Sequence, residues 1–446
     1  MLSKNKVIRL ALDDVDSPNY GCTTFSLSLI INQLIEKGVK FLDYPHLVRL
    51  NPNIPWKTRG NGAVSLIIEH VDPEYIFKIA KKIVYKSYVE AKKKSTPAIV
   101  LFYGQDLNDE LISFSEDALY KVLSVKRAKL LLDKYNFLYQ TYGGEIGLVG
   151  ALSGLSNTLI EHTYEIICYR CPENYAKPRK IDPLSIIEMS NKTHPYTYNN
   201  YDELTNRILI TPHGPDPILF GIRGLFPEIL VKAFNMLKIE EKPSHYVIFK
   251  TNQGTNSHLK RLFKIKDIKP YYSVKVQGKV KTRPIIKEGG HVFFLLEDED
   301  SSITCAAYEP TKSFRKIVLD LRPDDVIEVG GGVRPPTKKD NMALNIEYLK
   351  ILELAEDLSY ENPRCPICGR RMKSIGKDKG FECDKCKIKS TKASKIIIKN
   401  PRNIKPGIYL PPPSAHRHLT RPLQYYGVDL TKNFLLEEHL FFKSFK

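Results

Sequence analysis

Three carboxylates crowd the end of a short apolar run near the N-terminus, where Val7 to Leu12 empties into Asp13-Asp14-Val15-Asp16-Ser17. Side chains of like charge at that spacing repel one another unless a cation sits among them, and magnesium carrying a nucleotide is the usual guest. A second segment, Arg49 to Gly62, reads Arg-Leu-Asn-Pro-Asn-Ile-Pro-Trp-Lys-Thr-Arg-Gly-Asn-Gly. Backbone amides at Gly60 and Gly62, with Lys57 and Arg59 beside them, suit phosphate oxygens, although the Walker spacing is absent. Each segment alone has an ordinary explanation: an acidic turn capping the next helix, and an Asn61-Gly62 hairpin turn. Their presence in one chain favours a metal-nucleotide site.

The elements that must position these groups follow from periodicity. Thr23 and Thr24 are good N-caps, and Leu27, Ile30, Ile31 and Leu34 recur at helical spacing until Gly38. Ala63 to Ile68 is a second strand, Pro73 opens a lysine-rich amphipathic helix to about Lys94, and 113–134 reads as further helix. A small-residue stretch, Gly143 to Ala151, leads to an alternating strand at Thr163 to Arg170, and 171–201 has the composition of a long surface loop or hinge. The strand Arg207 to Thr211 breaks at Pro212-His213-Gly214-Pro215-Asp216-Pro217 and resumes as Ile218 to Gly224, so a proline-braced loop resembling a ligand site lies between. Tyr246 to Phe249 is a strand ending in the polar, tight loop Thr251 to His258.

At 446 residues the chain exceeds one comfortable core, and about two to four domains are expected. A net charge of +18, spread along the chain, favours a polyanionic partner. No run is apolar for long enough to cross a membrane, the N-terminus lacks a signal-peptide core, and cysteine usage fits a reducing compartment, so a cytoplasmic protein is expected. Between 270 and 353, five short alternating strands with a helix at Ser313 to Leu319 after the third predict an oligonucleotide-binding (OB) barrel. Arg283, Lys312, Arg315, Lys316 and Arg334 are its candidates for meeting phosphate. Cys365-Pro366-Ile367-Cys368 and Cys383-Asp384-Lys385-Cys386 place four thiolates about a zinc ion with no open position, hence a structural site. Cys168 and Cys171 share the spacing without a second knuckle and are left unassigned. The C-terminal Pro411-Pro412-Pro413-Ser414-Ala415-His416-Arg417-His418-Leu419 joins extended proline backbone to a basic cluster that either binds an RNA end or docks internally.

From Asp13 to Leu419 the chain resembles archaeal tRNA(Ile) agmatidine (2-agmatinylcytidine) synthetases, TiaS. The resemblance rests on Ala11 to Ser17, Cys22-Thr23-Thr24, the block 49–62, His213 to Gly224, Thr251 to His258, Gly289 to Phe294, Ala307 to Arg315, the cysteine knuckles, and Pro412 to Leu419. Val15 replaces the family's Thr, Ala11 its Gly, and the family's Lys-Gly-Arg-Gly-Leu-Ile-Gly-Ala becomes Gly144 to Ala151, losing two cations. The resemblance implies an α+β multidomain fold: an ATP-binding kinase-like α/β domain (1–130, open to being discontinuous), a ferredoxin-like agmatine-binding domain (131–262), an OB-fold β-barrel (270–356), a zinc ribbon (360–395) and a basic C-terminal tail (396–446). It implies an ATP-dependent ligase that attaches agmatine to C2 of the wobble cytidine of the minor isoleucine tRNA with a CAU anticodon, converting AUG to AUA decoding as ATP goes to AMP. Its substrates and cofactors are then ATP, agmatine, this tRNA, magnesium and structural zinc, with no obligate protein partner.

Carried over residue by residue, Asp13, Asp14 and Asp16 hold magnesium, and Lys57 and Arg59 clamp phosphates. Thr23 is the autophosphorylation position, and Asn51, Gly60, Asn61 and Gly62 contact ATP. Agmatine, with its guanidinium and amine, falls to His213, Gly214 and Asp216, and tRNA to Arg315, Lys312, Arg417 and His418. Two other classes remain open on the residues alone: a non-catalytic RNA-binding factor built from the OB-fold and zinc ribbon, and a small-molecule kinase or ligase using the same front end.

Overall fold

The computed structural model describes residues 7–16, 22–57, 60–69, 71–104, 106–338 and 340–445. Its first half is built on the strand β1 (Val7–Asp13), which pairs antiparallel with β3 (Gly62–Ile68) on one side and β4 (Ala98–Gly104) on the other. β2 (His46–Arg49) lies beyond β3, and β5 (Leu138–Thr141) beyond β4. The period of two explains the layers: Ile8, Leu10 and Leu12 face α1 (Thr23–Glu36) and α2 (Pro73–Glu90), while Ala11 faces the opposite layer. That opposite layer is α3 (Asp109–Ala118), α4 (Val125–Lys134) and α5 (Gly147–Ser156), with Leu148, Ala151, Leu152 and Leu155 packed on Ala11, Ala98 and Val100. Asp13 shares the parity of Ala11 and so points toward α5.

The second half is ferredoxin-like: β6 (Thr163–Arg170), α6 (Pro183–Thr193), β7 (Thr197–Tyr198), the strand Ile218–Gly224, α7 (Pro227–Met236) and the strand Pro243–Thr251. Its sheet is continuous with the first, because Pro243–Thr251 pairs in parallel with β2 through Lys250–His46 and Thr251–Leu47. The two halves therefore share one core, in which Leu10 and Leu27 belong to the same cluster as Ile166 and Phe249. The expected boundary at 130 runs through this body, since β5 and α5 belong to the first sheet and its covering layer. β6 is buried along its whole length instead of alternating, because both faces of this central strand are covered.

Two helices depart from expectation. The helix expected over 113–134 is two, broken at 119–124, where Ser124 caps α4 by accepting from the Arg127 N–H at 3.2 Å. The loop expected over 171–201 contains α6, started by Asp182 as N-cap and Pro183 at the first turn and anchored by buried Ile186 and Met189.

The OB barrel runs Ser273–Val280, His291–Glu297, Ser302–Ala307, helix Ser313–Leu319, Val326–Arg334 and Ala343–Glu353. It closes through the Lys279–Glu297 and Val280–Leu296 pairs. A two-stranded ladder, Asp357–Glu361 with Ile396–Asn400, carries the zinc ribbon, whose three short strands surround the knuckles. Residues 396–446 are a strap instead of a tail. Gly407–Tyr409 joins the OB sheet, His418 and Leu419 carbonyls accept from Gly254 and Asn256 at 3.0 and 2.8 Å, and Phe442–Ser444 extends the main sheet beside Pro243–Thr251.

Candidate active site

A cleft of about 950 Å³ opens where the two halves of the main sheet meet. Asp13, Asp14 and Asp16 line it from the first half, with Thr23 at the start of α1, Lys57, and Gly60 to Gly62. Glu165, Asp216, Gly221 and Arg223 line it from the second half, and His418 from the C-terminal strap. Thus most of the residues singled out for chemistry meet at one place. Thr58 and Arg59 lie outside the described residues.

The acidic loop is held open by specific partners. The chain turns at Asp14 (φ 54), whose Oδ2 accepts from the Thr96 N–H at 2.9 Å and from the Thr96 hydroxyl. Asp16 Oδ1 accepts from both the backbone N–H and the hydroxyl of Thr23 at 2.5 Å. The cap of α1 is therefore Cys22 by backbone position and the Asp16 carboxylate by chemistry, in place of the expected Thr23 or Thr24. Burial first, and then the charges of Asp14 and Asp16, push the Asp13 carboxyl well above the usual carboxylate range. A Cβ on Gly150 would lie 1.7 Å from Asp13 Oδ2, so the first turns of α5 press directly on this carboxylate.

The three carboxylates do not converge on one point as expected. Among the described residues, the four cysteines are the only group of three or more metal-type ligands with donor atoms within 4.8 Å of one another. Asp14 and Asp16 are turned toward Thr96 and Thr23, leaving Asp13 as the principal metal candidate with the other two beside it. This donor set still fits magnesium, which takes one or two carboxylates and fills its remaining positions with phosphate and water oxygens. A cation at this carboxylate would offset both its burial, the main cause of the raised Asp13, and the repulsion from Asp14 and Asp16.

Several expected contacts are placed elsewhere. Asn51 is fully buried away from the cleft: its amide donates to the Lys121 and Tyr271 carbonyls at 3.2 and 2.9 Å, and its oxygen accepts from Asn53 N and Ser273 Oγ, both at 3.0 Å. It ties the glycine loop to the OB barrel, and Asn61, which donates to the Asn51 carbonyl at 2.7 Å, remains at the cleft. Of the proline-braced loop, Pro212 and Asp216 reach the cleft, and of its expected agmatine contacts only Asp216 does. It is paired with Arg179 at 3.1 Å, whereas Gly214 gives its carbonyl to Arg179 and exposed His213 accepts from Arg207 at 2.7 Å.

On the OB barrel, Lys312 is paired with Glu309 at 2.7 Å, and Arg315 donates to the Gly290 carbonyl, so both expected tRNA contacts are engaged internally. Arg417 is bound to Glu347, which also meets His258 at 2.5 Å. Burial raises the Glu347 carboxyl, but Arg417 and His258 outweigh it and hold it at about 2. This triad, buried except for the partly exposed Arg417, joins the OB barrel, the strap and the Thr251 to His258 loop, in line with internal docking as one of the two readings of the C-terminal basic cluster. Arg49, Glu165 and Arg223 were missed as cleft residues, although Glu165 stands out as the one carboxylate in the strand Thr163–Arg170.

Family models match the chain in four places: a TiaS TCKD domain over 9–73, a TiaS FLD domain over 145–258, an OB-fold nucleic acid binding domain over 274–352, and a TiaS C-terminal zinc ribbon domain over 362–404. An isoleucine-tRNA 2-agmatinylcytidine synthetase, TiaS, of Staphylothermus marinus is 38% identical over 450 residues, covering 98% of this chain and 96% of its own. A solved complex of TiaS with its isoleucine tRNA and ATP superposes with a TM-score of 0.84 at 36% identity, covering 94% of this chain and 97% of that one. A complex of TiaS with the same tRNA, AMPCPP and agmatine gives 0.82 at 32% identity, covering 97% and 100%.

Proposed function

The chain belongs to the TiaS family of isoleucine-tRNA 2-agmatinylcytidine synthetases, and from that membership we propose how its residues divide the work. The protein is an ATP-dependent ligase that attaches agmatine to C2 of the wobble cytidine of the minor isoleucine tRNA. A non-catalytic RNA-binding factor, the main alternative, is displaced by this membership.

The C2 carbonyl oxygen of cytosine is a poor leaving group. Phosphorylation of that oxygen at the expense of ATP makes it a good one. The agmatine amine then forms a bond to C2, the C2–O bond breaks, phosphate departs with the oxygen, and the attacking nitrogen gives up a proton. Asp13, supported by Asp14 and Asp16, would hold magnesium, which supplies charge neutralisation on the triphosphate. Thr96 and Thr23 keep Asp14 and Asp16 in place. Lys57 and the amides of Gly60 to Gly62 hold phosphate oxygens, and Thr23, at a helix N-terminus, is positioned to carry a phosphate. Asp216 and Glu165 are the carboxylates on the opposite wall and offer anions to the guanidinium and amine of agmatine.

One observation carries this division: a single cleft brings the acidic loop, the glycine loop and the second half's carboxylates together. The OB barrel, the ribbon and the net charge of +18 support RNA as the polyanion. Consumption of ATP and tRNA supports action in the cytoplasm, and among the described residues no helix is long and apolar enough to cross a membrane. Incubation with ATP, agmatine and the tRNA transcript, omitting one component at a time, tests the reading. The modified nucleoside should form only when all three are present; product formed without ATP would reject it.

A further inference from the structure

We propose that Arg49, Arg223 and His418 form an anion subsite that receives the phosphoryl group carried on the C2 oxygen of the target cytosine. Arg49 ends β2, and its backbone N–H and carbonyl are both held by the Asn252 amide at 2.8 Å, so its side chain starts from a fixed point. The guanidinium runs over the glycine loop, where a Cβ on Gly60 or Gly62 would lie 2.8 or 2.9 Å from Nη1. The same Gly60 position is 2.9 Å from His418 Nε2, so the two groups are neighbours over one glycine. Absence of a side chain at Gly60 is what admits both.

The charges in this corner do not balance. Arg223 is paired with Glu165 at 3.0 Å, and the second oxygen of Glu165 accepts from the Gln253 amide at 2.5 Å. Among the described residues, no carboxylate is within ion-pair reach of Arg49, and its buried Nε has no hydrogen-bond partner. His418 Nδ1 is buried and unpartnered as well. Arg49 foremost, then burial and Arg223, hold the imidazole well below its ordinary value and hence neutral. Arg49 is half-buried on the cleft wall, with Glu165 and Asp16 as its opposing charges but neither in contact with it, and a guanidinium left without a direct partner there is prepared for an anion delivered by a ligand. The corner faces the same cleft as the carboxylates that would hold the metal, with room for a base between. A phosphoryl group bridging these walls would be stabilised as it leaves with the C2 oxygen.

This inference rests on the proposed division of labour, and the experiment separates the two. Full-length wild type, Arg49→Gln, Arg49→Lys and His418→Asn are compared for binding of inorganic phosphate and for agmatine incorporation into tRNA. Arg49→Gln is expected to weaken phosphate binding at least ~10-fold and to lower kcat by about 10²–10³-fold with KM for tRNA unchanged. Arg49→Lys is expected to fall between it and wild type. His418→Asn, which preserves the arginines and controls for misfolding of Arg49 variants, should weaken phosphate several-fold. Wild-type phosphate affinity in Arg49→Gln, or a defect confined to KM for tRNA as a backbone-phosphate contact would give, overturns the subsite. Unmodified cytidine with the wild-type enzyme instead overturns the functional reading.

Discussion

Replacement of Gly150 by alanine should separate catalysis from stability. A Cβ at this position lies 1.7 Å from Asp13 Oδ2 and 2.5 Å from Asp13 Cγ, whereas ordinary contacts begin near 3.4 Å. Either the carboxylate rotates away or α5 recoils, by about 1.5 Å in a close-packed layer. Overpacking of this kind costs about 1–3 kcal/mol, but alanine is about 1 kcal/mol better than glycine inside a helix, so net destabilisation should be only about 0–2 kcal/mol. The chemistry is less forgiving, because about 1 Å of misplacement at a reacting group lowers rates by about 10²-fold. Gly150→Ala should therefore keep a melting temperature within a few degrees of wild type while kcat for agmatine incorporation falls about 100-fold. Gly154→Ala is the control: its Cβ would meet the Ala63 Cβ at 2.7 Å on the same helix without touching Asp13. Activity of Gly150→Ala within two-fold of wild type would refute the placement of α5 against the metal-side carboxylate.

Glu347→Gln breaks the triad between OB barrel, strap and second half. Because its carboxyl is held at about 2, against an ordinary 4.5, ionised Glu347 contributes stability above the ordinary value that is lost as pH falls through about 2. The shift corresponds to about 3 kcal/mol, and the variant should show a lower melting temperature at neutral pH with a flatter acid limb. His418, whose pKa is likewise lowered in the fold, acts in the same sense at higher pH. Held neutral in the fold, it opposes stability once pH drops below its unfolded value, so Arg49→Gln should soften acid destabilisation between about pH 6.5 and pH 5; unchanged pH dependence would contradict their adjacency. Removal of zinc, or Cys383→Ser, should unfold the ribbon and weaken tRNA binding while leaving ATP binding in the cleft intact, as read by metal analysis and tRNA titration.

Legibility in the sequence followed the length scale of the signal. The OB barrel and the zinc knuckles were readable because alternation over five short strands and a fixed cysteine spacing are local patterns. α5 was not, since its glycines and alanines have weak periodicity, and their purpose, close approach to Asp13, Ala63 and Thr96, is visible only when the sheet is in place. α6 lay hidden in a stretch rich in proline and asparagine, though Asp182-Pro183 followed by Ile186 and Met189 is a start signal. The acidic loop announced its chemistry but not its geometry, because the turn of Asp14 toward Thr96 depends on a partner 82 residues away. The internal partners of Asn51 and Arg417 were hidden for a related reason: polar groups in a motif serve joints as readily as ligands, and the joint partners, Ser273 and Glu347, sit in another domain.

The central claim is that Asp13 organises the triphosphate against the wobble cytidine. It is tested most directly by mass analysis of nucleosides from the CAU-anticodon isoleucine tRNA after incubation with Asp13→Asn, ATP, magnesium and agmatine, beside wild type. Wild type should yield 2-agmatinylcytidine and the variant at most about 1% of that rate, its fold intact by melting temperature. Product at the wild-type rate from Asp13→Asn would contradict it.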